Sequence, residues 1–233
     1  KKMYELLQKL RPTHVMQLPQ RKDHPMSLTL WQYEIEALKR KLEETFDVVI
    51  TDEKLRASIR LRNRIHAAAM RFYNLSTMPE PVISGKEIML VSDFLKFSFD
   101  YEKSIAKIND LTDKIIENYI SGQRRRDLSA KRILITGCPM GKSLEKVVDA
   151  LESPECGALV TGFENCGNIK CSHYPVDEEE APLTALAKKY LSIPCSVMSP
   201  NPDRIALIRE YAAKYRVQGV VDVILQACHT YNV

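Results

Sequence analysis

The residues of this sequence best equipped for chemistry are its six cysteines, and they are unevenly placed. Residues 1–137 contain none, while Cys138, Cys156, Cys166, Cys171, Cys195 and Cys228 all follow. A thiolate is a nucleophile, a redox group and a ligand for soft metals. An even count suits a disulfide framework in a small secreted chain. Here 233 residues with 45% apolar side chains can bury a sizeable core, and no basic–apolar–small leader opens the sequence. A reducing, cytoplasmic setting is therefore the expectation, and there clustered cysteines serve metals or redox chemistry. A free cysteine is also simply a small buried apolar residue, so local context has to decide.

Structural zinc gathers ligands in tight C-x-x-C pairs, and the sequence has none; the nearest pair is Cys166 and Cys171, a C-x4-C spacing. Single cysteines drawn from separate loops suit a larger cluster, in which thiolates and bridging sulfide share several irons. A rival motif overlaps Cys138. Gly137-Cys138-Pro139-Met140-Gly141-Lys142-Ser143 resembles the phosphate-binding loop G-x-x-x-x-G-K-[ST]. It has three residues between the glycines instead of four, with Thr136 at the position needing glycine, and Pro139 removes a donor N–H. Asp222 lies within a later apolar strand rather than at its end, where a Mg²⁺-binding aspartate belongs. A nucleotide-binding module with structural cysteines is the alternative reading. Otherwise Lys142 is a helix-start surface residue or a charge steadying an anionic cluster.

Stepping outward to the elements, residues 1–128 read as mostly helical. Apolar spacing predicts helices over Lys2–Leu10, Leu28–Phe46 (capped by Ser27), a segment after Thr51 or Asp52 carrying Leu55, Ile59, Leu61, Ile65 and Ala69, then Lys86–Phe97 and Tyr101–Ile120. His14–Leu18 reads as a short strand between prolines, Asn74–Gly85 as a loop, and Ser121–Arg126 as a linker whose triple arginine is solvated charge or a phosphate contact. Residues 129–233 change character: strand Arg132–Thr136, helix Ser143–Glu152, strand Ala158–Phe163, helices Pro182–Leu191 and Asp203–Tyr215, strand Gly219–Leu225. That order implies parallel β-α units and an α/β, doubly wound parallel sheet.

On this frame Cys138 follows the first strand, Cys166 the second and Cys228 the last. Cys195 lies in Ile193-Pro194-Cys195-Ser196, where another strand-to-loop transition is expected. In a parallel sheet all carboxyl ends share one edge, and the crevice there is where such folds bind ligands. At least three cysteines thus converge by topology. Neighbouring glycines leave backbone N–H groups free to face a sulfur-rich anion.

Net charge is +4 from 34 basic and 30 acidic residues, too mild and scattered to argue for nucleic acid, and no apolar run approaches a membrane span.

Several stretches together resemble the 2-hydroxyacyl-CoA dehydratase D-component family, which also holds benzoyl-CoA reductase subunits and double-cubane cluster proteins. They are Lys1-Lys2-Met3-Tyr4-Glu5-Leu6-Leu7, Val15-Met16-Gln17-Leu18-Pro19-Gln20, Ile135-Thr136-Gly137-Cys138-Pro139-Met140-Gly141, Phe163-Glu164-Asn165-Cys166, Ile193-Pro194-Cys195-Ser196-Val197-Met198-Ser199-Pro200-Asn201 and Leu225-Gln226-Ala227-Cys228-His229-Thr230-Tyr231-Asn232-Val233. The double-cubane branch is the nearest in pattern. The resemblance implies flavodoxin-like domains and an iron–sulfur cluster, 4Fe-4S or double-cubane, held by cysteines after strands. It also implies single electrons from a separate ATP-dependent activator, a homologous subunit as partner, and an acyl-CoA or other small-molecule substrate. Dehydratases of this family form a ketyl radical and eliminate water; double-cubane proteins reduce small molecules. Carried over by motif, the ligands are Cys138, Cys166, Cys195 and Cys228. Cys156 falls outside the motifs and reads as a surface or structural thiol; Cys171 could ligate beside Cys166.

Family members are longer at both ends, so the sequence reads as a fragment: a helical remnant of an upstream α/β domain (1–128), then a cluster-binding domain (129–233) incomplete at its end, with upstream ligands missing. His229 and Glu164 are the candidate catalytic groups. A backbone-bonded histidine is the plain alternative for His229, as a turn-forming residue is for Asn165. His173-Tyr174 and Asp177–Glu180 read as a solvated loop, Met140 and Met198 as packing, and Trp31 as core.

Overall fold

The computed structural model describes residues 2–123, 130–167 and 169–231. The expected linker arginines Arg124, Arg125 and Arg126, and the final Asn232-Val233, lie outside them. The chain divides into two compact units that interleave in sequence: Lys1–Arg60 with Val176–Pro200, and Leu61–Pro175 with Asn201–Val233.

The first unit holds α1 (Lys2–Leu7), α2 (Ser27–Phe46), the start of α3 (Asp52–Tyr73) and α8 (Pro182–Ser192). Thr51 caps α3, its hydroxyl accepting from the Lys54 N–H at 3.2 Å. Ser27 does not cap α2; Met26 occupies that position, and the Ser27 hydroxyl donates instead to the Arg21 carbonyl. His14–Leu18 has no regular secondary structure and belongs to no sheet among the described residues. A strand needs a ladder partner, and none is paired with it here. α2 packs on α8, and Ile59, Val176 and Ala185 form a small buried cluster with Leu186 against it.

The second unit is mixed α/β. It contains the rest of α3, α4 (Gly85–Lys96), α5 (Tyr101–Ile120), β1 (Lys131–Gly137), α6 (Lys142–Leu151), β2 (Ala158–Glu164), α7 (Ile169–Ser172), α9 (Pro202–Lys214) and β3 (Gly219–Val223). The sheet is all parallel in the order β2-β1-β3. Those are the first three places of the flavodoxin-like order 2-1-3-4-5. The strands are rich in β-branched residues because helices cover the sheet. Leu134, Val160, Phe163, Ile88, Val148, Tyr211 and Tyr215 are wholly buried in one core, each large apolar side chain contributing about 1.5–3 kcal/mol by leaving water.

Helix α4 is fitted closely to the sheet. A Cβ on Gly85 would lie 2.5 Å from the Val160 Cβ, so only glycine admits the approach. Glu152 fastens the contact, its Oε1 accepting from the N–H groups of Gly85 at 2.7 Å and Val160 at 3.1 Å. A capping box between Ser84 and Glu87 starts the helix. Short helix α7, which carries Cys171, was not foreseen in the sequence; four residues leave too little periodicity to read.

Arg132 enters β1 buried. Its guanidinium donates to four carbonyls, those of Ser76 and Met78 at 2.7 Å, Pro79 at 3.1 Å and Tyr215 at 3.4 Å. Burial, and then the nearby Arg216 charge, push its pKa down. The planar fork holds several carbonyls in one fixed geometry, which a compact ammonium with three donors does not reproduce. Arg132→Met is expected to leave these acceptors unpaired at about 1–3 kcal/mol each where they stay buried. Loss of only one such bond's worth lowers Tm by roughly 2–4 °C per kcal/mol in a chain of this size. Thermal melts of wild type, Arg132→Lys and Arg132→Met should rank in that order; an unchanged Tm for Arg132→Met would remove the anchoring role.

Candidate functional site at the carboxyl ends of β1 and β3

In the order β2-β1-β3 the chain leaves β1 toward one side and returns to its other side, so the crevice between the ends of β1 and β3 is the topological switch point. The register pairs Gly137 with Val223, and Cys138 is the next residue on one strand. Its N–H donates to the Val223 carbonyl at 2.8 Å, which ends the ladder and turns the thiol into the crevice. Gly137 makes this possible: its φ is +107°, and a Cβ there would sit 2.2 Å from the Val223 carbonyl oxygen. Thr136 donates to Asp222 at 2.6 Å, tying the same two strand ends. Asp222 is thereby occupied within β3.

Beyond β3 the chain folds into tight turns that carry Cys228. The Cys228 N–H donates to the Leu225 carbonyl at 3.0 Å, and the Tyr231 N–H to the Cys228 carbonyl at 3.2 Å. The thiols of Cys138 and Cys228 are close enough to perturb each other's ionisation, and the Leu225 N–H points at the Cys138 sulfur from 3.5 Å. Their environments differ. The Thr230 N–H and hydroxyl and the Tyr231 N–H hold the Cys228 thiol below its ordinary pKa. Burial raises that of Cys138.

Cys166 follows β2 and is exposed, with its sulfur 3.9 Å from the Tyr231 hydroxyl. Cys171, half-buried on α7, donates its thiol to the Cys166 carbonyl at 3.2 Å. Asn165 is a turn former: its Oδ1 accepts from the Gly167 N–H at 2.9 Å. Three of the four cysteines singled out, Cys138, Cys166 and Cys228, are thus linked, Cys166 through Tyr231. Cys195 belongs to the other compact unit. No strand precedes it; it follows α8 in a turn where Pro194 cannot donate to a ladder and its own N–H donates to Ile193 at 2.7 Å. All six cysteines are free thiols, and Cys156 is exposed. Among the described residues no three histidine, cysteine or carboxylate side chains form a ready metal site.

The candidate catalytic groups differ sharply. His229 is exposed beside Cys228. Glu164 is wholly buried and gripped by two cations: Lys170 Nζ at 2.7 Å, and Arg204 through Nε at 3.2 Å and Nη2 at 3.0 Å. Burial opposes the Arg204 charge, but the Glu164 carboxylate raises its pKa overall. Arg204 also lies 4.8 Å from the centre of the Tyr231 ring. Sequence reading missed Lys170, Arg204 and Tyr231 as parts of the site. Only Tyr231 carried a signal, its place three residues after Cys228. His173, expected in solvent, packs edge-on against Tyr174 and Tyr211 and reaches Glu210 at 3.4 Å.

The phosphate-loop reading has little donor geometry behind it. The Cys138 N–H is spent on Val223, and the N–H groups of Ser143 and Leu144 bond to Met140 and Gly141. Lys142 is exposed at the first position of α6. The hollow beside Pro139, Met140 and Gly141 is about 60 Å³, room for a water or two rather than a triphosphate.

Two outcomes follow from this geometry. Gly137→Ala is expected to separate the ends of β1 and β3, with a fall in Tm and faster amide exchange confined to 137–141 and 222–228; unchanged exchange there would show that the close approach is dispensable. In metal-free protein, iodoacetamide labelling followed residue by residue should give Cys228 a pH midpoint below the free-thiol value of about 8.5, with Thr230→Val raising it. Cys138 should react only at higher pH. A Cys228 midpoint at or above the free value would contradict the donor arrangement.

The whole chain, residues 1–233, matches the family model described as 2-hydroxyglutaryl-CoA dehydratase, D-component. A protein of Escherichia coli (strain K12) named "Putative dehydratase subunit YjiM" is 42% identical over 233 residues, covering 100% of this chain and 60% of its own length. The chain therefore spans 60% of the length of that curated relative. With a parallel α/β sheet, cysteines at its carboxyl edge and a full-length family match, this chain belongs to the 2-hydroxyglutaryl-CoA dehydratase D-component family.

Proposed function

We propose that the chain is the cluster-binding part of an iron–sulfur dehydratase or reductase component, an enzyme of the lyase or oxidoreductase type. Cys138, Cys166 and Cys228 would hold the cluster. The observation that carries this reading is the Cys138–Cys228 pair at the switch point with backbone N–H groups aimed at both sulfurs. Two neighbouring thiolates repel each other unless a cation lies between them, and N–H donors to sulfur stabilise the charged form that a soft metal requires. The donor set is sulfur-rich with no carboxylate among the paired thiols, which suits iron–sulfur ligation better than a hard cation.

When bound, such a cluster supplies a store for single low-potential electrons. The chain's own residues perform the supporting work. Thr230 and Tyr231 hold Cys228 ready to ligate, and Leu225 does the same for Cys138. Gly137 lets the two strand ends meet, and burial around Cys138 keeps water from one side of the site. The electrons would come from an ATP-dependent activator protein and go to a 2-hydroxyacyl-CoA or another small molecule, with a homologous subunit completing the assembly in the cytoplasm. The match to a 2-hydroxyglutaryl-CoA dehydratase family model supports the dehydratase form. No helix among the described residues is long and apolar enough to cross a membrane.

Anaerobic purification of the full-length protein should yield brown material with about equal iron and acid-labile sulfide. Cys228→Ala and Cys138→Ala should each lose most of both. Iron-free wild type, or full iron retention in both variants, would overturn the assignment. The nucleotide alternative gives the opposite pattern: stabilisation by Mg-ATP that Lys142→Ala abolishes.

A further inference from the structure

We propose that Tyr231 is a positioning residue for the cysteine site, donating its hydroxyl to the Cys166 sulfur while a buried Glu164–Lys170–Arg204 triad holds its ring in place. The donor role rests on the proposed cluster reading; the anchoring does not.

A carboxylate with 0% exposure, meeting a lysine with 1%, is expensive to desolvate, and such pairs seldom add net stability. Here three elements spend that cost together: Glu164 ends β2, Lys170 lies on α7 and Arg204 on α9. Two cations face one carboxylate, and Arg204 is the more exposed of them. Arg204 presents its guanidinium to the face of Tyr231 at 4.8 Å. A desolvated cation over an aromatic face is a strong, directional attraction, and the grip of Glu164 on Nε and Nη2 fixes the guanidinium plane.

Tyr231 in turn reaches two cysteines from different loops. Its N–H donates to the Cys228 carbonyl at 3.2 Å, and its hydroxyl oxygen lies 3.9 Å from the Cys166 sulfur. With Cys166 as a thiol, either its S–H or the Tyr231 O–H could be the donor. A ligating thiolate has no proton, so the tyrosine must donate. The ring therefore ties the loop after β2 to the turn after β3, and the triad sets where that tie is made. Hydrogen bonds to ligating sulfur raise a cluster's reduction potential by delocalising its negative charge.

The test separates ring from hydroxyl in the full-length, anaerobically prepared protein. Tyr231→Phe keeps the ring over Arg204 and removes the donor. It should shift the cluster's midpoint potential to a more negative value while hydrogen–deuterium exchange over 224–231 stays at the wild-type rate. Arg204→Gln and Glu164→Gln should accelerate that exchange in metal-free protein and also lower the potential in the loaded protein. Arg204→Lys should fail to restore either. An unchanged potential in Tyr231→Phe overturns the donor role, and unchanged exchange in both triad variants overturns the anchor. An iron-free wild type would fail the cluster reading and the donor role with it, whereas the exchange measurement on metal-free protein still decides the anchor.

Discussion

The arrangement of the site hangs on the parallel register of β1 against β3. Pairing Gly137 with Val223 puts the first residue after one strand beside the first turn after the other, and the Cys138 N–H closes that pairing on the Val223 carbonyl. One step of slip would turn Cys138 to the opposite face of the sheet. The positive φ of Gly137 allows the two backbones to approach this closely, and the Thr136–Asp222 bond keeps them together. Everything chemical at the edge is downstream: the paired thiols, the amide donors around them, and the tyrosine that joins Cys166 to Cys228.

Buried charge organises the second unit in two different ways. Arg132 has backbone carbonyls for partners, so it acts as a rivet between the start of β1 and the loop after α3. Glu164 has charged partners on two helices, so it acts as a hub at the end of β2. A buried ion left without partners would cost several kcal/mol, and both groups avoid that through several hydrogen bonds each. One stabilises the entry side of the sheet; the other lies at the carboxyl edge, next to the cysteines.

Much of the architecture was legible in the residues. The β-branched runs at 132–136 and 158–163 lie in strands and that at 219–225 gives a strand ending two residues sooner, at Val223, and the long periodic segments are helices within a residue or two of their expected ends. Cysteines directly after strands were legible as a shared edge, because parallel topology forces it. The failures were local. His14–Leu18 has strand composition but joins no ladder among the described residues, Ser27 has cap chemistry but donates to Arg21, and Cys195 stands in a turn after a helix rather than beyond a strand. In each case the residue type was permissive and a tertiary neighbour decided its use.

By itself the sequence determined the fold class, the sulfur-rich character of the site and the family, because periodicity and motif spacing are local properties that survive without coordinates. Tertiary structure alone decided that the two compact units interleave, with Cys195 in one and the other three candidate ligands in the second. It also decided that Glu164 is a buried hub and that Lys170, Arg204 and Tyr231 belong to the site. Glu164 meets Arg204 across 40 positions of chain and Cys166 meets Tyr231 across 65, and no local pattern encodes a meeting of that kind.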